Sequence, residues 1–441
     1  MSILFRGEFI TRKLKLALGV LIFLLLIQVY GVAPASRVSA NSSTDDWPMF
    51  RHDPDHTGYL TSTAPTTGVT QLWNYSADGS VFSSPAVVGG YAYISYYAGV
   101  HCLNASTGAK VWESTYAVGY SSSPAVADGM VYIGSEDGKV YALNAFTGAK
   151  IWNYTARGVV GSPAVANGYV YVGTGYPSGG NVYALDASTG DKIWNYTTRS
   201  SVGSPAVASG YLYVGSNDGN IYAFDALTGA KKWNYTIGDN IVPSPAVANG
   251  YVYVGSNDRN VYCLDASTGA KIWNYTTGSF VYSSPAVADG VVYVGSNDGN
   301  VYALDAFTGT KIWNYQTGYA VYSSPAVAGS IVYVGSGYPS AFPSGDSVYA
   351  LNASTGAKIW NYTTGSPVES SPAVANGVVY IGSEDGKVYA LGAPSATVTP
   401  PPLLSTIIVI IGVVVVVILA VIFLFYKVRH KEAKNSRCTQ L

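Results

Sequence analysis

The tetrapeptide Ser-Pro-Ala-Val occurs eight times, beginning at Ser84, Ser123, Ser162, Ser204, Ser244, Ser284, Ser324 and Ser371. The unit around it is about forty residues long. Most copies run through a Val-Tyr strand core, a polar turn, a second Tyr-rich strand, a Thr-Gly turn and Lys-x-Trp-Asn-Tyr. A repeat of this length, with four short strands and no helical periodicity, fits one blade of a β-propeller. An extended β-solenoid or a string of small domains is the competing architecture for such a period.

The tryptophans show how the array ends. They stand at Trp73, Trp112, Trp152, Trp194, Trp233, Trp273, Trp313 and Trp360. Trp73 precedes the first Ser-Pro-Ala-Val, while the last unit stops at Tyr389-Ala390-Leu391-Gly392 with no Trp behind it. The segment Gln71–Ser76 is therefore an orphan fourth strand, and the last unit lacks one. Pairing the two closes the ring and removes two exposed sheet edges. The expectation is an all-β, eight-bladed propeller of four-stranded antiparallel blades, closed by its N-terminal strand.

Local chemistry agrees. Tyr169-Val170-Tyr171-Val172 and Tyr251-Val252-Tyr253-Val254 are β-formers suited to a strand held between neighbouring blades. Asp137-Gly138, Asp218-Gly219, Asp298-Gly299 and Asp385-Gly386 sit where a tight hairpin needs positive φ. The eight tryptophans are expected to dock each blade on its neighbour. With 49 Gly and only 11% charged residues, the chain is turn-dense and heavily buried.

The block Ala184-Leu185-Asp186-Ala187-Ser188-Thr189-Gly190-Asp191-Lys192-Ile193-Trp194 resembles the tryptophan-docking motif of the pyrroloquinoline-quinone (PQQ) propeller repeat. Further copies end at Trp112, Trp152, Trp233, Trp273, Trp313 and Trp360, with Cys102 and Cys263 in the Ala place and Asn104, Asn144 and Asn352 in the Asp place. Trp47-Pro48-Met49-Phe50-Arg51-His52-Asp53 looks like the segment that often precedes such propellers. The resemblance spans about Trp47 to Leu391 and implies the fold strongly. It implies function only weakly, because the family holds dehydrogenases, outer-membrane assembly scaffolds and surface proteins. Family dehydrogenases add adjacent cysteines, calcium-binding acids and a catalytic Asp; this chain has no adjacent cysteines, and its acids follow the repeat. The expectation is a non-enzymatic member with no catalytic residue, metal or cofactor, the alternative being a PQQ-dependent quinoprotein dehydrogenase.

The ends carry an address. Residues 1–40 read as a signal peptide or an N-terminal anchor, with Arg6, Arg12, Lys13 and Lys15 ahead of an apolar run and Val38-Ser39-Ala40 as a cleavage site. Residues 41–68 form a lead-in, 69–393 the propeller and 394–402 a Pro-rich linker. Leu403–Tyr426 runs 24 residues without a charge, enough for a transmembrane helix, and the basic tail 427–441 belongs in the cytoplasm. The propeller is thus expected outside the cell membrane. Asn-x-Ser/Thr sequons at Asn74, Asn153, Asn195, Asn234, Asn274 and Asn361 fall beside the blade tryptophans, on the outermost strand, as glycosylation candidates. Cys102 and Cys263 occupy equivalent places in blades one and five, too far apart for a disulfide. The ending Cys438-Thr439-Gln440-Leu441 has only the outline of a prenylation signal.

The densest set of metal-ligand types is His52-Asp53-Pro54-Asp55-His56, where Pro54 and the adjacent spacing favour a structural lead-in over a metal site. A net charge of −1 gives no pull toward nucleic acid. The repeats disagree in two sets of turns, those between strands two and three and those between blades, which share one face of the disc. Blade three inserts Gly175–Gly180, blade seven inserts Gly337–Asp346, and blade one shows Tyr96-Tyr97. Tyr96, Tyr97, Tyr176, Tyr338 and Phe342 therefore mark a candidate binding face for a protein or glycan partner at the cell surface. A lattice or adhesion component of the envelope is a further alternative.

Overall fold

A computed structural model describes residues 45–61, 68–116, 122–175, 179–337 and 346–393. The expected signal segment, linker, transmembrane helix at 403–426 and tail lie outside the described residues. Among the described residues there is no helix, and so none long and apolar enough to cross a membrane.

Eight antiparallel sheets make eight blades, each ordered from an innermost to an outermost strand. Blade one consists of Ala86–Val88, Tyr91–Tyr96, Gly99–Asn104 and Lys110–Ser114. Blade eight takes Ala373–Ala375, Val378–Gly382 and Lys387–Gly392 from one end of the array and Thr70–Ser76 from the other. Trp73 lies opposite Ala390 in that closing pair. Each fourth strand carries a bulge just before its Trp, so that Trp194 pairs with Ala184, Lys192 pairs with Leu185, and Ile193 is skipped. This explains the half-exposed Ile151, Ile193, Ile272 and Ile312: they are the extra residues of bulges. Second strands are buried along both faces, which is why they read as continuous Tyr and Val.

The apolar cores lie between blades. Tyr132 and Trp152 of blade two pack with Val170, Tyr183 and Leu185 of blade three. Above each core one carbonyl serves two donors. Ala145 O accepts the Trp112 indole N–H at 2.8 Å and the Tyr93 hydroxyl at 3.2 Å, both from the preceding blade. The same pair of donors meets Ala187, Ala226, Ala266, Ala306, Ala353 and, across the closure, Ala105. A carbonyl has two lone pairs, so both bonds are complete. The Thr-Gly glycine beside it has two reasons to be glycine. Gly229 has φ +70°, and a Cβ there would stand 2.6 Å from the Trp194 ring.

One junction differs. Blade eight has no turn joining its third and fourth strands, because those strands come from opposite ends of the repeat array. The Tyr333 hydroxyl of blade seven is buried without a partner. Tyr293→Phe should therefore cost about 1 kcal/mol, and Tyr333→Phe should be neutral or stabilising, because only the first breaks a bond. Urea unfolding of the two variants measures the difference; equal losses would contradict the shared-carbonyl account.

Candidate functional site

The innermost strands leave one edge facing the axis, and the lead-in occupies it. Trp47 exchanges both backbone hydrogen bonds with Val87 of blade one at 2.7 Å. The carbonyls of Pro48, Pro54, Asp55, Thr57 and Gly58 then accept the N–H groups of Val126, Val207, Val247, Val287 and Val327 at 2.6–2.9 Å. These are the valines of Ser-Pro-Ala-Val, so the lead-in circles the axis and visits blades one, two, four, five, six and seven. Tyr59–Leu60 joins blade seven as a fifth, parallel strand, where four were expected. Trp47 and Leu60, the two ends of the turn, meet in one core with blades seven, eight and one. A recess lined by Pro54, Asp55, Val165, Asn167 and Val207 remains beside blades three and four.

The dense cluster in the lead-in serves this plug. Arg51 is 2% exposed at φ +64°, and its guanidinium donates to the carbonyls of Pro285 and Pro325. Burial lowers it to about 9, against the pull of Asp53, so it stays charged at neutral pH. His56 donates to the Pro245 carbonyl, and burial pushes it down to about 3, so the ring is neutral. Asp53 accepts from the Thr57 N–H at 2.8 Å and from its hydroxyl. Asp55 is raised to about 6 by burial and by Asp53. His52 to His56 thus hold a tight chain reversal against the channel wall, and among the described residues no group of three His, Cys, Asp or Glu is placed to hold a metal.

A second ring, with six of its eight links made among the described residues, lies beside the prolines. Ser84 N donates to Ser123 Oγ and Ser123 N to Ser162 Oγ, each at 2.9 Å. Ser244, Ser284 and Ser324 donate likewise to Ser284, Ser324 and Ser371, and Ser371 N returns to Ser84 Oγ at 3.1 Å. The serine before it works both ways: Ser370 Oγ accepts from Gly382 N of its own blade at 3.1 Å and donates to Ser83 O of the next blade at 2.9 Å. Sequence reading saw eight identical serines and assigned them no task; their invariance along the chain was the available signal.

The lead-in lies with the turns between first and second strands, as the bond from Gly89 N to Asp46 Oδ1 shows. The opposite mouth is rimmed by the variable loops. There Tyr282 stacks on Tyr322 with ring centroids 5.5 Å apart, and Phe280 meets Tyr282 edge-on. Buried acceptors without a partner stand near this rim: Asn257 Oδ1, Asn297 Oδ1 and Glu384 Oε1. Burial, Glu369 and Asp346 together raise Glu384 to about 7, and burial raises Glu369. Asp346 ends the insertion noted in blade seven and Glu369 stands at a blade junction, but the sequence does not show that both converge on Glu384, because Glu369 and Glu384 stand 15 residues apart and Asp346 lies in the preceding blade.

The named binding-face residues fare unequally. Tyr96 is not exposed: its ring is buried against His101, and its hydroxyl lies 3.0 Å from His101 Nε2. It extends the second strand of blade one instead of standing in a turn. Tyr97 is 56% exposed. Tyr176, Tyr338 and Phe342 lie outside the described residues. Asn74, Asn153, Asn195, Asn234, Asn274 and Asn361 are all exposed on outermost strands. Cys102 and Cys263 are free thiols buried in separate cores.

Family-model comparison matches residues 56–196, 155–244, 238–338 and 320–399 to the model described as outer membrane protein assembly factor BamB. No curated protein shows significant similarity to this chain. Among solved structures, BamB from Moraxella catarrhalis is 23% identical with TM-score 0.62, covering 75% of this chain and 99% of that one. Quinohemoprotein alcohol dehydrogenase from Comamonas testosteroni is 18% identical with TM-score 0.68, covering 80% and 82%. A europium-containing methanol dehydrogenase is 16% identical with TM-score 0.69, covering 80% and 98%. At these identities the likeness is one of fold. The acids of the turns between third and fourth strands are engaged in capping, as Asp186 is by Ser188 and Thr189, and Trp47–Leu60 fills the axis at one mouth.

Two outcomes follow from this geometry. Arg51→Ala strands two buried proline carbonyls and should cost about 2–4 kcal/mol in chemical unfolding; a loss below that of a surface arginine would remove the plug's central contact. Glu384 is an acid raised in the fold, so it keeps its proton where the unfolded chain has lost it. Its contribution is present at low pH and lost as pH rises toward about 7. The gain in Tm from Glu384→Gln should therefore grow between pH 5 and pH 8, and a gain that shrinks would reverse the assignment.

Proposed function

This chain belongs to the family described as outer membrane protein assembly factor BamB, and from that premise we propose that it is a membrane-anchored β-propeller serving as a binding or scaffold module outside the cell. The observation that carries the reading is the one-sided closure of the axis. Trp47–Leu60 occupies one mouth, while the variable loops, the stacked Tyr282 and Tyr322 and the raised carboxylates gather at the other. Rigid blades that present varied loops on one face suit recognition of a protein or a glycan. The uncharged run Leu403–Tyr426, followed by Lys427, Arg429 and Lys431, supplies the anchor and its orientation. Exposed Asn153, Asn195, Asn234, Asn274 and Asn361 belt the rim as acceptors for glycans in this setting.

We assign no catalytic residue and no cofactor. The full chain mixed with PQQ and calcium should keep its Tm and reduce no dye in the presence of alcohols; a shift with turnover would restore the dehydrogenase reading. On intact cells, an impermeant amine reagent should modify propeller lysines such as Lys139 and Lys387 and spare Lys427 and Lys431 until lysis. Labelling of the tail on intact cells would reverse the topology.

A further inference from the structure

Three exposed apolar side chains recur at one place in the repeat. Phe146, Leu227 and Phe307 are 45%, 58% and 53% exposed and stand two residues after the Asn or Asp that opens the turn between third and fourth strands. They belong to blades two, four and six. The odd blades carry serine at that position, as at Ser188 and Ser267. The fourth even blade is blade eight, and there the third strand ends at Gly392 and the chain leaves at Ala393. An apolar contact thus alternates round the disc, and the vacant corner is where the chain departs toward its uncharged run.

These turns share a face with those between first and second strands, as the bond from Ala145 N to Gly129 O shows. The lead-in begins on the same face, where Asp46 meets Gly89. Both ends of the described chain therefore emerge from one side. Nine residues, 394–402, separate the propeller from Leu403 and reach at most about 30 Å when fully extended. The edge of this face also carries an exposed lysine at the start of each outermost strand of blades one to seven, as at Lys150 and Lys311. The turn acids beside them stay charged: Asp225 caps Thr228 and pairs with Lys232 at 3.2 Å, and Asp305 caps Thr308.

We infer that this face rests on the bilayer, with Phe146, Leu227 and Phe307 seated among the lipid headgroups and the lysines over anionic lipid. Aromatic and aliphatic side chains rimmed by lysine are the composition that binds a lipid interface. The inference rests on the membrane-anchored reading above and adds an orientation to it: the plugged mouth faces lipid, and the variable loops face outward.

The test uses the full chain carrying Cys438→Ser, reconstituted in vesicles of phosphatidylcholine and phosphatidylglycerol. An environment-sensitive dye is placed in turn at Phe146→Cys, Leu227→Cys, Phe307→Cys and, on the opposite face, Asp239→Cys. A quencher attached to the lipid chains should extinguish emission at the first three and leave Asp239→Cys unaffected. With a reporter at Ser188→Cys, the triple variant Phe146→Ser, Leu227→Ser, Phe307→Ser should lose that quenching while keeping its Tm, because serine already occupies this place in the odd blades. Protein that floats with the vesicles but shows no quenching keeps the anchor and overturns the docking. Protein that does not float overturns both. Dyes shielded from a water-soluble quencher but untouched by the lipid quencher would assign the face to a second copy and overturn the lipid contact.

Discussion

One alanine carbonyl per junction joins the blades. It lies at the tip of the third strand, where the turn begins, and it receives an indole N–H and a phenol O–H from the blade before it. Both donors are large rings that also fill the space between sheets, so hydrophobic packing and hydrogen bonding are met by the same atoms. Glycine follows close behind because nothing larger fits against the indole. A ring built this way has no weak member until the chain ends meet. There the turn is missing, and Tyr333 is left with an unpaired hydroxyl.

The axis poses a separate problem. Eight innermost strands present backbone N–H groups to a central space, and a buried donor without an acceptor is costly. Fourteen residues of lead-in, Trp47–Leu60, answer most of them with carbonyls, while Arg51 and His56 reach the proline carbonyls alongside. The positive φ of Arg51, His52 and His56 shows how sharply the backbone bends to do so. The residues that most resembled metal ligands in one dimension are thus the ones that hold the plug. Their effect on function is indirect: one mouth closes, and the variable loops are left to the other.

Blade number, strand order and ring closure were legible because each follows from counting. Eight tryptophans, eight Ser-Pro-Ala-Val blocks and an orphan strand ahead of the first block leave one economical arrangement, and hairpin glycines mark its turns. The serine ring was half legible: the residue was seen to recur, but its bond partner lies one blade away, about forty residues along the chain. Tyr96 was misplaced for a related reason. A Tyr-Tyr pair at a turn reads as exposed, yet blade one extends its second strand to include Tyr96, and His101 across the hairpin takes its hydroxyl. The acidic cluster at Glu384 was legible only in part: Asp346 closes the blade-seven insertion, but its approach to Glu369 and Glu384 joins two blades.

The sequence by itself determined what repeats: the strands, their turns, the docking tryptophans and the matching ends that close the disc. Those features depend on residues near one another in the chain or on equivalence between copies, and both survive in one dimension. Only the tertiary structure decided which mouth is filled, which carboxylates share a rim and which exposed side chains share a face. These depend on how a circle brings distant copies together, and on a non-repeating lead-in whose path is set by the unpaired strand edges it meets.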